Sequence, residues 1–430
     1  MPPRFTGIKG MNDILPGESY RWEGLERLLH ELSQAYGYRE IRTPIAESTE
    51  LFTRGLGEAT DVVEKEMYSW EDQGGDRLTL RPEATAPIVR AYIEHRLDAQ
   101  DPIARLYCLG PMFRRERPQK GRYRQFHQWN VEVIGSPEPA ADAEVITLLV
   151  EALKRLRAEG VRVLVNSIGD ETCRPAYRAE LQAFLRARID RLCGSSRARV
   201  ETNPMRVLDC KVPSCIEATA DAPRIVDRLC APCAAHFAEL RRLLGLLGIE
   251  HAVEPRLVRG FDYYTRTAFE VQMAHEGAQN AVAGGGRYDG LVEELGGPPT
   301  PAIGFAVGLE RLLSLVAEGA FEPRRVDLFL AAVGQASRDR AVVAAQRLRA
   351  RGLRVETALA GKEGQAPSLK AQLRRADRSG APAAAILDDR DLDRGVAIVR
   401  DLRAGRQAEV PLGDLEARLF ELARTYGGRQ

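Results

Sequence analysis

Residues Cys108 to Gly135 read CLGPMFRRERPQKGRYRQFHQWNVEVIG, two runs of strand-like alternation around a basic loop. In the second run Phe126, Gln128, Asn130, Glu132 and Ile134 point one way, and His127, Trp129, Val131 and Val133 point the other. One face is apolar. The opposite face presents two amides and a carboxylate in consecutive positions. The first run ends with Arg114 and Glu116 on one face and Arg115 on the other. An antiparallel pair with a solvated polar face would show a similar alternation. The mixture of amide, carboxylate and guanidinium instead suits directional bonds to a ligand. The loop from Arg117 to Arg124, basic with one aromatic in Tyr123, suits a phosphate-rich polymer.

The rest of the chain sets the frame. With 430 residues it is long for one core and is expected to divide into two or three domains. Formal net charge is only +1, so nucleic-acid contact requires local basic patches rather than bulk attraction. The beginning, MPPRFTGIKGMNDILPG, lacks an apolar run of signal-peptide length, and no later run is long enough to span a bilayer. A soluble cytoplasmic protein with no membrane partner is expected. Seven cysteines, an odd number without a secretion signal, argue against a disulfide framework.

Before the central hairpin, Trp22, Leu25, Leu28, Leu29, Leu32 and Ala35 recur at helical spacing from Glu18 to Tyr36. Gly37 ends that helix, and Tyr38 to Ile45 reads as a strand with Pro44 at its boundary. The turn Asp72 to Asp76 joins two short apolar runs into a hairpin, and Arg81-Pro82-Glu83 leads into a helix from Ala84. Glu83 and Thr85 fit ordinary helix-start chemistry.

After it, a helix spans about Ala141 to Ala158 and a strand Val161 to Asn166. Residues from Ser167 to about Leu247 are helical by period and read as an inserted module. Strands resume at Val253 to Arg259 and Phe261 to Val271, followed by Ala283-Gly284-Gly285-Gly286-Arg287-Tyr288-Asp289-Gly290. Three glycines allow close backbone approach to a ligand, but neither a P-loop nor a G-x-G-x-x-G pattern is present. Ala302 to Leu313 passes from a glycine-spaced strand into a helix carrying Arg311. Past Gly319 the composition shifts, with Arg324-Arg325 as linker. Alternating strands and helices from Val326 onward predict a small α/β domain with a mixed sheet. Its 19 Lys and Arg against 14 Asp and Glu give +5, the excess an RNA-reading module would carry.

Taken together, FRRER at Phe113 to Arg117, RYRQFHQ with Glu132, and LVRGFDYYTRTAFE around Arg259 resemble the histidyl family of class II aminoacyl-tRNA synthetases. The helix, strand and Pro44 resemble that class's motif 1, whose role is dimerisation, and the stretch with Arg311 resembles motif 3. The resemblance implies an α/β chain. Residues 1–325 would form an α+β catalytic domain on an antiparallel sheet, with a helical insertion at about 167–250. Residues 326–430 would form an anticodon-binding domain.

The resemblance further implies ligation of L-histidine to tRNA(His) through a histidyl-adenylate, with ATP as substrate, Mg²⁺ on its phosphates, and a homodimer. It assigns Arg114 and Arg259 to the α-phosphate, Arg311 to the distal phosphates, and Glu116 to ATP. It assigns Glu83, Thr85, Gln128, Glu132, Tyr263, Tyr264 and Tyr288 to histidine, and Gln119, Lys120 and Arg124 fit the tRNA acceptor end. A regulatory subunit of ATP phosphoribosyltransferase shares the fold, but lacks the C-terminal domain and has eroded motifs.

Four cysteines stand apart from this resemblance. Cys230 and Cys233 have C-x-x-C spacing and Cys210 and Cys215 the looser C-x₄-C spacing, so four thiolates can close a tetrahedral zinc site. Simple burial of cysteine as a small apolar residue is the alternative.

Overall fold

The computed structural model describes residues 5–57, 60, 62–118, 121–273, 281–317, 319–323, 326–359 and 367–427. The chain divides into two compact units, Met1–Glu322 and Pro323–Gln430.

Eight strands build the large sheet of the first unit: β1 Arg39–Glu40, β2 Ala104–Phe113, β3 Gln125–Ile134, β4 Val161–Ser167, β5 His251–Val253, β6 Thr265–Met273, β7 Ala281–Arg287 and β8 Ala302–Gly308. Their order is β1-β2-β3-β8-β7-β6-β4-β5. The two edge pairs are parallel and all pairs between them antiparallel. The helices that matter for the site are α1 Pro16–Ala35, α2 Thr85–Glu94, α3 Pro139–Arg155, α4 Arg174–Arg186, α5 Ala231–Leu246 and α6 Leu309–Leu315.

The alternation along β3 sorts its side chains between two cores. Trp129, Val131 and Val133 join Leu25, Leu29 and Leu32 of α1 and Val145, Ile146 and Leu149 of α3. On the other face Ile134, Leu106 and Cys108 pack with Ile88, Val89 and Tyr92 around α2. Burying a side chain of this kind contributes roughly 1.5–3 kcal/mol. The sheet is therefore clamped by helices on one face, and its other face is free in the middle to form a site.

Two segments differ from the sequence expectation. Strand structure at Tyr38–Ile45 shrinks to two residues, because Pro44 has no N–H to give a ladder and the Thr43 carbonyl accepts from Arg81 Nη1 at 2.9 Å instead. Between Glu254 and Tyr264 there is no strand. Arg259, Tyr263 and Tyr264 lie in the loop before β6, and both tyrosines turn into one core rather than onto opposite faces. The Gly284–Gly286 run lies in a central strand of the sheet.

The inserted helices have a small core of their own, formed by Tyr177, Leu181, Leu185, Val200 and Ile225. The last helix of that region, α5, leaves it: Phe237, Leu240 and Leu244 pack in the main core with α3.

In the second unit, β9 Leu328–Val333, β10 Val355–Thr357, β11 Ala383–Asp388, β12 Val396–Asp401 and β13 Arg406–Pro411 form a mixed sheet in the order β10-β9-β11-β12-β13. Helices Gln335–Ala350 and Leu415–Gly427 share one core with its strands, and Leu369–Ser379 packs near the other. Among the described residues no helix is long and apolar enough to cross a membrane.

Because each unit has its own core, Leu330→Ala (1% exposed in the wild type) should destabilise the second unit by about 2–5 kcal/mol. Calorimetry should show one transition moving down while that of the first unit stays in place. Equal movement of both would contradict independent cores.

Candidate functional site

The pocket face of β3 carries Gln128, Asn130 and Glu132, all 8% exposed or less. Glu132 is enclosed. Thr85 Oγ1 donates to its Oε1 at 2.9 Å and the Tyr288 hydroxyl to its Oε2 at 2.6 Å. Directly opposite in the ladder stands Gly304, where any Cβ would overlap the Glu132 carboxylate. Burial drives the Glu132 pKa up to about 8, against the lowering effect of the two hydroxyls and with a further push from Glu83. Near neutrality this acid holds its proton and has hydrogen-bonding capacity left for a basic ring.

Glu83 sits at the start of α2. Its two carboxylate oxygens accept from Thr85 N at 2.7 Å and Ala86 N at 2.9 Å, so the helix-start reading of this residue is realised. Burial raises its pKa and the two N–H bonds oppose that rise. Tyr263 and Tyr264 have ring centroids 4.6 Å apart, and Tyr263 and Tyr288 5.6 Å apart. Burial keeps all three phenols protonated. Glu83, Thr85, Glu132, Tyr263, Tyr264 and Tyr288 thus form one closed cluster of carboxylates and hydroxyls.

Beside it opens a cavity of about 290 Å³ lined by Arg114, Glu116, Gln128, Arg259, Glu270 and Arg311, among others. Arg259 Nη1 lies 3.1 Å from Glu270 Oε2, and its Nε is buried without a protein partner among the described residues. Its guanidinium lies against Gly284, where a Cβ would collide with it. Arg114 donates from Nε to the Pro82 carbonyl at 2.8 Å, and its guanidinium carbon is 5.3 Å from the Phe126 ring centroid. Glu116 faces Arg122 at 3.3 Å and Arg114 at 3.9 Å. Three arginines converging on one cavity can neutralise a polyphosphate. Gln128 joins the two parts, since it lines the cavity and leads along β3 to Asn130 and Glu132.

Other expected residues do not meet there. Gln119 and Lys120 lie outside the described residues. Arg124 directs its guanidinium to the carbonyls of Glu116 at 3.3 Å and Lys9 at 3.4 Å, which holds the loop together. The four cysteines do not form one set. Cys210 and Cys215 cluster with Cys193, whereas Cys230 and Cys233 cluster with Cys173 and Asp170. Spacing along the chain could pair neighbours but not say which pairs the module's helices bring together.

Two residues of the site were not singled out as site residues from sequence. Glu270 alternates with Phe269 and Val271 on β6, a pattern that marks it as pocket-facing. Asn130 was visible between Gln128 and Glu132. Both of its side-chain polar atoms are buried without a protein partner among the described residues, as is Gln128 Oε1. Orphaned polar atoms of this kind mark a place for a ligand.

The family model for histidyl-tRNA synthetase matches residues 10–312, and that for the anticodon binding domain matches residues 327–422. The chain belongs to the histidyl-tRNA synthetase family. It is 50% identical over 419 residues to histidine–tRNA ligase of Syntrophotalea carbinolica, covering 97% of this chain and 99% of the relative. Histidine–tRNA ligase of Geobacter metallireducens is also 50% identical, over 95% of this chain and 97% of the relative. The crystal structure of apo S. aureus histidyl-tRNA synthetase superposes with a TM-score of 0.80 at 35% identity, covering 97% of this chain and 100% of that one.

The raised Glu132 pKa has a signed consequence. Between its ordinary value of 4.5 and about 8 the folded state holds a proton that the unfolded state releases. Its contribution to stability is therefore full below 4.5 and lost as pH rises through 8. The stability of wild type relative to Glu132→Gln should fall by up to about 4 kcal/mol from pH 5 to pH 8.5. Urea unfolding across that range measures it, and a pH-independent difference would contradict the raised pKa.

Proposed function

We propose that the closed cluster around Glu132 receives the histidine side chain and that the arginine-lined cavity receives ATP. The chain catalyses ATP-dependent ligation of histidine to tRNA through a histidyl-adenylate, releasing AMP and pyrophosphate. What carries the division of roles is one observation: a buried carboxylate held by two hydroxyls, on the same strand face as an amide that lines the arginine cavity.

Selection of the amino acid follows from that carboxylate. Glu132 bonds one ring nitrogen, and a tyrosine hydroxyl, Tyr264 by our assignment, bonds the other. An analogue without those nitrogens leaves buried polar groups unpaired and is rejected. Glu83, Thr85, Gln128 and Tyr263 hold the amino and carboxylate end, with Tyr288 fixing Glu132.

In the first step the histidine carboxylate attacks the α-phosphorus and pyrophosphate departs. The attacking group is already an anion, so no catalytic base is required. What the step requires is positioning and charge neutralisation. Arg114 and Arg259 act at the α-phosphate and Arg311 at the distal phosphates. Glu116 and Glu270 would hold Mg²⁺, which would supply further neutralisation of the phosphates. In the second step the terminal ribose hydroxyl of the tRNA attacks the acyl carbon and AMP leaves.

The second unit, whose residues 326–430 carry a net +5, reads the tRNA, and on the motif 2 resemblance Gln119, Lys120 and Arg124 are assigned to its acceptor end. We assign the chain to a cytoplasmic homodimer, on the motif 1 resemblance of α1 and Pro44. The regulatory-subunit reading is not favoured, because the anticodon-binding region and the arginine set are both present.

ATP–pyrophosphate exchange with each of twenty amino acids should respond to histidine alone. Arg259→Ala should slow adenylate formation about 10²–10³-fold, the usual cost of a contact made mainly in the transition state, and slow transfer from preformed adenylate far less. Exchange driven by another amino acid would overturn the substrate reading, and equal damage to both half-reactions the role of Arg259.

A further inference from the structure

Two short motifs lie where the chain leaves the catalytic sheet for the inserted helices and where it returns. Asp170-Glu171-Thr172-Cys173 follows β4 and runs into α4, and Cys230-Ala231-Pro232-Cys233 opens α5. Each places two metal-binding side chains three residues apart at the start of a helix. The ligand atoms of Asp170, Cys173, Cys230 and Cys233 all lie within 4.8 Å of one another. We propose that these four residues form a structural zinc site that ties the two crossing points of the inserted module together.

The donor set fits the ion. Zinc takes thiolate sulfur at about 2.3 Å in a tetrahedron, which sets sulfur–sulfur edges of about 3.8 Å. Cys173 Sγ lies 3.5 Å, and Cys230 Sγ 3.7 Å, from Asp170 Oδ1. Cys173 and Cys233 are buried while Asp170 and Cys230 are half-buried, leaving a path for the ion. The surroundings suit an anionic cage. Cys173 Sγ accepts from Asp170 N at 3.3 Å, and Asp170 Oδ1 from Thr172 N at 3.0 Å. Three thiolates and a carboxylate around a divalent ion leave a net charge of −2, and two arginines stand next to it. Arg266 Nη2 is 3.5 Å from Asp170 Oδ2, and Arg174 directly follows Cys173.

The position explains what such a site would do. Residues 174–229 have only the small core around Tyr177, Leu181 and Val200. A metal joining Cys173 to Cys230 closes that whole segment into a loop and removes freedom from its unfolded state. It also backs the substrate-side loop. Ile168 N donates to the Arg266 carbonyl and Arg266 N to the Gly169 carbonyl, each at 2.7 Å, and Arg174 Nη2 bonds the Tyr264 carbonyl. Cys193, Cys210 and Cys215 form a second cluster inside the module, but with three ligands among the described residues it is short of a closed set.

The full-length protein, stripped with a chelator and reloaded with Zn²⁺ or Co²⁺ under reducing conditions, tests this directly. At least one tightly held ion per chain is expected, with the charge-transfer and d–d bands of tetrahedral thiolate-bound Co²⁺. One equivalent should vanish in Cys230→Ser/Cys233→Ser and persist in Cys193→Ser/Cys210→Ser. Undiminished metal in the first variant, loss only in the second, or a wild type that binds none would overturn the proposal. A disulfide between any of Cys173, Cys230 and Cys233 in protein purified under reducing conditions would overturn it too. Should the first variant fail to fold, alkylation mapping of wild type decides: chelation should expose Cys173, Cys230 and Cys233 together. No chelator-dependent change at these three would contradict the site.

Discussion

A carboxylic acid buried in the middle of a sheet is the constraint on which the rest of the first unit depends. Glu132 has almost no contact with solvent, so its environment must supply what water does not. Two hydroxyls do so, and each is placed by a different element. Thr85 comes from the first turn of α2, which Glu83 caps. Tyr288 follows directly on Arg287, whose fully buried guanidinium is fixed by Asp142, Asp289 and the carbonyls of Ser136 and Glu138. Gly304 makes the room. A side chain at that ladder position would displace the carboxyl group, so the glycine spacing of β8 and the buried acid on β3 are one feature.

The arginine cavity follows a complementary rule. Its cations are not left bare: Arg259 meets Glu270, and Arg114 meets the Pro82 carbonyl and the edge of Glu116. Such partial pairing holds each guanidinium in place before substrate arrives and limits the cost of assembling like charges. Gly284 under Arg259 has the same purpose as Gly304 under Glu132, since both let a long side chain lie against the sheet. Preorganised charge of this kind is what a phosphoryl-transfer step requires of a protein.

Much of this was legible in sequence because period and chemistry coincide along residues 125–134. Apolar and polar side chains alternate cleanly there, so the face carrying Gln128, Asn130 and Glu132 followed from counting. The bend at Pro44 and the loop at 254–264 were less legible, since β-rich composition persists where the ladder stops. Tyr263 and Tyr264 show the reason: their rings meet in one core, centroids 4.6 Å apart and planes tilted by 48°, an arrangement that no strand alternation produces. The cysteine grouping was hidden for a different reason. It depends on where the inserted helices begin and end relative to the sheet, and Asp170, a ligand candidate of another residue type, carries no thiol signature. The closure of the Glu132 cluster was likewise invisible, because a row of polar residues reads the same whether open or sealed.

If Glu132 is the group that reads the histidine ring, its proton should move when histidine binds. Infrared difference spectroscopy at pH 7, with and without histidine, observes that proton directly. The account predicts loss of the carbonyl stretch of a buried protonated carboxylic acid, gain of carboxylate and imidazolium bands, and absence of both changes in Glu132→Gln. Histidine binding with no loss of a protonated-acid band, or with the same loss in Glu132→Gln, would contradict it.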